Sequence, residues 1–154
     1  MITLKRTNAK DPDFIALVAQ LDAHLKMVDG DDNAFYSQYN KIDQIKYAII
    51  AYQDDNPVGC GAIKQHGPKT MEVKRMYVLP SEQGKGIASK VLAALENWAI
   101  DLKNSFCILE TGHRQTAAVA LYTKSGYQII ANYGQYQGVE NSICFQKALN
   151  LPVV

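Results

Sequence analysis

The residues best suited to chemistry lie between Glu72 and Lys90. A β-rich run, Val73 to Leu79, meets Pro80. A short loop, Gln83-Gly84-Lys85-Gly86-Ile87-Ala88, then opens an amphipathic helix. Such a loop aims several backbone N–H groups at one point on the positive end of a helix dipole, a setting for phosphate or pyrophosphate. A nucleoside triphosphate loop is not spelled here, because no Ser or Thr follows Lys85 and no glycine stands at the required upstream spacing. A dinucleotide loop is only half spelled, because Ser89 occupies the place of the third glycine. Downstream, Ala117, Ala118, Ala120 and Leu121 favour a helix that Gly126 can end, and that helix carries Tyr122. A phenol with pKa near 10 stays protonated at pH 7 yet can donate a proton to a developing anion.

Two segments in this order resemble motifs of the GNAT superfamily of N-acetyltransferases. Gln83 to Ala88 is similar to its Q/R-x-x-G-x-G/A loop. Ala118-Val119-Ala120-Leu121-Tyr122-Thr123-Lys124-Ser125-Gly126-Tyr127 is similar to its A-x-x-L-Y-x-x-x-G-F/Y motif, about 30 residues on. The resemblance implies acetyl-CoA as cosubstrate. It also implies a mixed α/β fold: a mostly antiparallel central sheet, splayed middle strands, and helices on both faces. The cofactor would wedge between Thr70–Leu79 and Phe106–Glu110. Gln83, Gly84, Lys85, Gly86, Ile87 and Ala88 would grip its pyrophosphate, Lys85 either neutralising charge or standing as a solvated lysine. Backbone groups of Met76 and Val78 would pair with the pantetheine arm and face the oxyanion. Gln115 stands where an Asn would touch the CoA arm, and adds one methylene.

Acetyl transfer to an amine requires the neutral amine, and an alkylamine of pKa near 10.4 is neutral in only about one molecule in 10³ at pH 7. A base or a water relay therefore helps. The resemblance assigns Tyr122 as general acid. It matches Glu72, eleven residues before Gln83, to the strand glutamate that histone-acetylating members use as base. Glu110, at the end of the neighbouring strand, is the competitor. For the acceptor, Lys74 and Arg75 stand side by side in a strand buried on both faces, so one of them, Arg75, is a candidate for a substrate carboxylate. Tyr36, with Phe35 and Tyr39, lies where the superfamily's first helices border the acceptor. Tyr133, in the loop Asn132 to Tyr136, closes the other side.

The composition is that of an ordinary globular protein: 154 residues, 47% hydrophobic, 20% charged, net charge +1. Neither nucleic acid nor an anionic membrane is indicated as a partner; a homodimer is left open. Cys60, Cys107 and Cys144 read as buried thiols of a reducing compartment, with Cys107 a conceivable nucleophile. The N-terminus lacks a signal-peptide core and no stretch is apolar enough to span a membrane, so a cytoplasmic enzyme is expected. The element order reads β-α-α-β-β-β-α-β-α-β-β, in one domain over residues 1–149 with a tail at 150–154. Strands fall at 2–6, 45–53, 58–65, 70–79, 106–110, 127–131 and 141–146. Helices follow Asp11-Pro12, span about 33–40, run from Ile87 to Leu102 and carry Tyr122. The expected activity is N-acetylation of a small amine or amino-acid-like metabolite by direct transfer in a ternary complex. The alternatives are a peptide or protein N-acetyltransferase and a CoA-binding regulatory module without turnover.

Overall fold

Inner strands that are apolar on both sides need cover on both sides, and two long amphipathic helices supply it. In a computed structural model of the chain, which describes residues 1–29 and 45–149, seven strands form one sheet. They are β1 (Ile2–Thr7), β2 (Tyr47–Gln53), β3 (Asn56–Gly67), β4 (Thr70–Val78), β5 (Phe106–Gly112), β6 (Gln128–Ile130) and β7 (Ser142–Ala148). Their spatial order is β1-β2-β3-β4-β5-β7-β6. Every pairing is antiparallel except β4 with β5.

Helix α1 (Pro12–Asp29) starts as its sequence predicts: Asp11 Oδ1 accepts the N–H of Asp13 at 3.0 Å, with Pro12 first in the helix. Its Phe14, Leu17 and Val18 pack on Ala48, Ile50, Cys60 and Ala62, one face of the sheet. Helix α2 (Ile87–Asp101) lays Val91, Leu92, Leu95 and Ala99 on Ile49, Ile63, Met71 and Leu109, the other face. Helix α3 (Thr116–Lys124) joins that second layer through Tyr122.

The feature that makes a site is a split in the sheet. β4 and β5 pair only at Thr70–Phe106, Met71–Cys107 and Glu72–Ile108. From Val73 to Val78 the β4 edge facing β5 has no strand partner. A bulge accompanies the divergence: the register with β3 jumps between Ala62–Lys74 and Cys60–Tyr77, and Arg75 takes φ +60°. Gly61 lies opposite. A Cβ there would sit 2.5 Å from Met76 Sδ and 2.8 Å from Leu95 Cδ1, so only glycine lets α2 approach the bulge.

The bulge corrects the reading of Lys74 and Arg75 as neighbours in a regular strand. Strand boundaries also move, and β1, β2 and β6 shift by one or two residues. Leu79 leaves β4 for the turn at Pro80, β3 runs longer at both ends, β5 extends to Gly112, and β7 shifts to 142–148. The hairpin turn at Asp54-Asp55 is tighter than expected, with φ +50° and +72° at those residues. The helix expected at 33–40, with Tyr36, and the tail at 150–154 lie outside the described residues.

Candidate active site

A cavity of about 620 Å³ occupies the split. The glycine loop forms one end of it. Gly84 and Gly86 take φ +82° and +80°, conformations that L side chains rarely adopt, and a Cβ on either would meet no protein atom within 4 Å. Space beside these backbones is therefore open to a ligand. Gly86 is the N-cap of α2, so the first N–H groups of that helix, at Ile87, Ala88 and Ser89, have no intrahelical acceptor and line the same space. The Ile87 side chain, 1% exposed, anchors the helix start in the core. Gln83 fastens the loop to the strand: its Nε2 donates to the Val78 carbonyl at 3.2 Å. Of the two readings of Lys85, the structure shows the solvated one. Its ammonium pairs with Glu82 at 2.8 Å, and it is not among the residues lining the cavity.

Tyr122 and Gln115 reach the cavity from α3. Gln115 caps that helix and lines the cavity beside Thr111 and Gly112. Tyr122 is buried, its ring 5.8 Å from that of Tyr127 and 6.0 Å from that of Phe145. Burial, and secondarily the charge of Glu110, push its phenol above the ordinary tyrosine range. No hydrogen bond restrains that hydroxyl among the described residues. It is a protonated donor facing the cavity.

The other side of the split is acidic and aromatic. Glu72 and Glu110 both line the cavity. Glu72 is buried, accepts the Tyr133 hydroxyl at 2.5 Å on Oε2, and has the Lys74 ammonium 3.4 Å from Oε1. Glu110 accepts the Ser142 hydroxyl at 2.6 Å. Tyr133 does not itself line the cavity as expected, because its hydroxyl turns onto Glu72. Tyr136, one short turn later, is buried and lines the cavity instead. Burial first, then the charges of Glu110 and Glu72, raise its phenol pKa. Sequence reading passed over Tyr136 within the same loop, and over His24, a cavity-lining residue on the polar side of α1. Arg75 lines the cavity with a buried side chain whose Nη2 donates to Asp22 of α1. Its Nε is the one buried side-chain polar atom left without a hydrogen bond among the described residues.

The Acetyltransferase (GNAT) family model matches residues 16–127. The chain belongs to that family. It is 28% identical over 150 residues, 96% of this chain and 98% of the relative, to an IAA acetyltransferase of Azospirillum brasilense. A solved structure from Klebsiella pneumoniae, ascribed to the acyl-CoA N-acyltransferases, superposes with a TM-score of 0.82 at 33% identity, covering 97% of this chain and 99% of that one. A PaiA N-acetyltransferase from Thermoplasma acidophilum, solved with coenzyme A, has a TM-score of 0.72 at 15% identity, with 96% and 99% covered, a likeness of fold.

Family membership makes the protein an N-acetyltransferase with acetyl-CoA as cosubstrate, and the residues present fit that molecule. Three observations carry the fit: the edge of β4 that no strand pairs beyond Glu72, a length of backbone for an amide-bearing arm; the open space over Gly84 and Gly86, for phosphates; and the Tyr122 hydroxyl, without a hydrogen-bond partner among the described residues. Cysteine chemistry does not fit. Cys60, Cys107 and Cys144 are buried and none lines the cavity. Burial pushes the Cys60 and Cys107 thiols up to about 12, which leaves no thiolate at neutral pH.

Proposed function

We propose that this acetyltransferase moves the acetyl group of acetyl-CoA directly, in a ternary complex, onto the primary amine of a small amino-acid-like metabolite. One observation carries the reading. A single cavity joins the glycine loop and Tyr122 on one side to two carboxylates, Glu72 and Glu110, on the other. An amine entering as ammonium meets carboxylates, and a carboxylate can take its proton. Glu72 is the base in this scheme. The N–H groups on the free edge of β4, near Met76, meet the negative charge that develops on the acetyl oxygen. Tyr122 donates to the departing sulfur. Direct transfer is supported by the absence of a cysteine from the cavity lining, since a relay through a thiol has no nucleophile there.

Arg75 supports the amino-acid-like acceptor. A buried guanidinium N–H without an acceptor costs about 1–3 kcal/mol or more. An acceptor carboxylate in the cavity that Arg75 lines would share its guanidinium with Asp22, which engages it through Nη2, after a shift of the side chain that uncovers it. The test is a panel of amines with and without a carboxylate, followed by thiol release from acetyl-CoA. Glu72→Gln is assayed on the best acceptor. The expected result is a preference for carboxylate-bearing amines that Arg75→Met abolishes. In Glu72→Gln the loss of turnover is expected to be concentrated below about pH 8, where the amine needs a base. A pH–rate profile unchanged in shape and height removes Glu72 as base.

A further inference from the structure

The loop between β6 and β7 sends one hydroxyl onto the proposed base. Tyr133 Oη lies 2.5 Å from Glu72 Oε2. The Tyr133 ring is itself held on two sides. His66 of β3 meets it edge-on at 5.0 Å and Tyr136 meets it edge-on at 5.8 Å. The loop is tied down independently. Asn132 Nδ2 donates to the carbonyls of Val139 at 2.9 Å and Ser142 at 3.1 Å, so the two ends of the loop are clasped together. A short turn, Gly134–Tyr136, then places the Tyr136 ring in the cavity.

We propose that Tyr133 is the positioning residue for Glu72: its hydroxyl fixes the carboxylate's rotamer and stabilises its ionised, proton-accepting form within a buried setting. This rests on the reading of Glu72 as base only for its catalytic consequence; the positioning itself does not. A carboxylate this enclosed has given up water partners for its oxygens. A donated O–H returns part of what hydration supplied, and donation to a charged acceptor is stronger than donation to a neutral one. The geometry leaves the function to Glu72. With Oε2 taken by Tyr133 and Oε1 flanked by Lys74, the carboxylate cannot swing away. Its remaining lone pairs are what an amine or a relay water would meet.

Other charged and titratable groups surround Glu72, and they define the background of the test. Lys74 lies on its own strand, Lys64 is its partner on β3 with His66 beyond, Glu110 faces it from β5, Tyr136 from the loop and Cys144 from β7. Of these, Lys74 and Lys64 are cationic and Glu110 is anionic. Tyr133 is the one that acts by direct hydroxyl donation, and it can be removed with no change of formal charge.

The experiment compares the wild-type protein with Tyr133→Phe, which keeps the ring and its contacts with His66 and Tyr136. Glutamate side chains are labelled with ¹³C, and the carboxyl resonance assigned by its loss in Glu72→Gln is followed across pH in the absence of acceptor. The expected result is a Glu72 titration midpoint about one pH unit higher in Tyr133→Phe. An identical midpoint overturns the proposal. A thermal melt of Tyr133→Phe checks that the fold persists. If the variant does not fold, Tyr133→Leu, which also lacks a donor and carries no charge, takes its place and should move the midpoint in the same direction. A second readout separates this inference from the one on which it builds. In thiol-release assays with acetyl-CoA and the best amine of the panel, the acid limb of the rate profile should follow the same upward shift. If the resonance shifts while the rate profile does not, the positioning by Tyr133 stands and Glu72 is not the base.

Discussion

Tyr122→Phe removes one oxygen from the cavity and leaves the ring packed on Tyr127 and Phe145. The lost hydroxyl has no hydrogen bond among the described residues, so folding stability should change by less than about 0.5 kcal/mol. The catalytic loss can be bounded. Burial and Glu110 hold the Tyr122 phenol above its ordinary value near 10. Taking the leaving group as a cysteine-like thiol near 8.5, complete proton transfer would be uphill by at least ~1.5 pH units, or ~2 kcal/mol. Tyr122 therefore acts chiefly as a hydrogen-bond donor to charge developing on sulfur. A hydrogen bond to a charged group is worth about 1.5–3 kcal/mol, which corresponds to a fall in kcat of roughly 10- to 150-fold. Thiol release gives kcat and calorimetry gives the acetyl-CoA Kd on the same variant. The reasoning predicts that kcat falls while Kd moves less than about threefold. Near-native kcat with weakened binding would refute it, and Tyr122 would then only seat the thioester.

Gly86→Ala places a methyl in open space at φ +80°, so acetyl-CoA binding measured by calorimetry should weaken by about tenfold or more while the protein still folds, with a backbone cost of about 1–2 kcal/mol. Gly61→Ala forces a Cβ onto Met76 and Leu95, and denaturant unfolding should show a loss of about 1–3 kcal/mol, with cofactor affinity falling because the β4 bulge moves. Burial would raise the Asp11 carboxyl, but hydrogen bonds from Lys5, Thr7 and the Asp13 N–H outweigh it and hold it below the ordinary range. A depressed folded pKa stabilises above the unfolded value near 4 and ceases to as pH falls through the folded value. Asp11→Ala should therefore cost about 1 kcal/mol at pH 7, and progressively less as pH drops below 4.

The parts of the site that are legible in sequence are those where backbone geometry dictates residue type. Positive φ at Gly84 and Gly86 demands glycine, and the helix start after them follows from Ile87 and its apolar period. Tyr122 is legible for the same reason, sitting in a helix with a clear end at Gly126. The splay of β4 from β5 is implied by the family resemblance but is not written in the local pattern of either strand. Lys74 and Arg75 look like strand residues, and the bulge that breaks their alternation is written across two strands, in Gly61 as much as in Arg75. Nor does sequence separate Tyr133 from Tyr136. Which ring enters the cavity depends on the phase of a single short turn at Gly134. His24 is hidden for a simpler reason: on an amphipathic helix, a polar-face histidine looks solvated until the opposing strand is in place.

The most direct test of the central claim is thiol release from acetyl-CoA on mixing with primary amines, with the acylated product read by mass spectrometry. The account predicts amine-dependent release, an acetyl group on the amine nitrogen, and no acetyl group left on the protein. Tight acetyl-CoA binding with no release across a broad amine panel, or an acetylated protein intermediate, would contradict it.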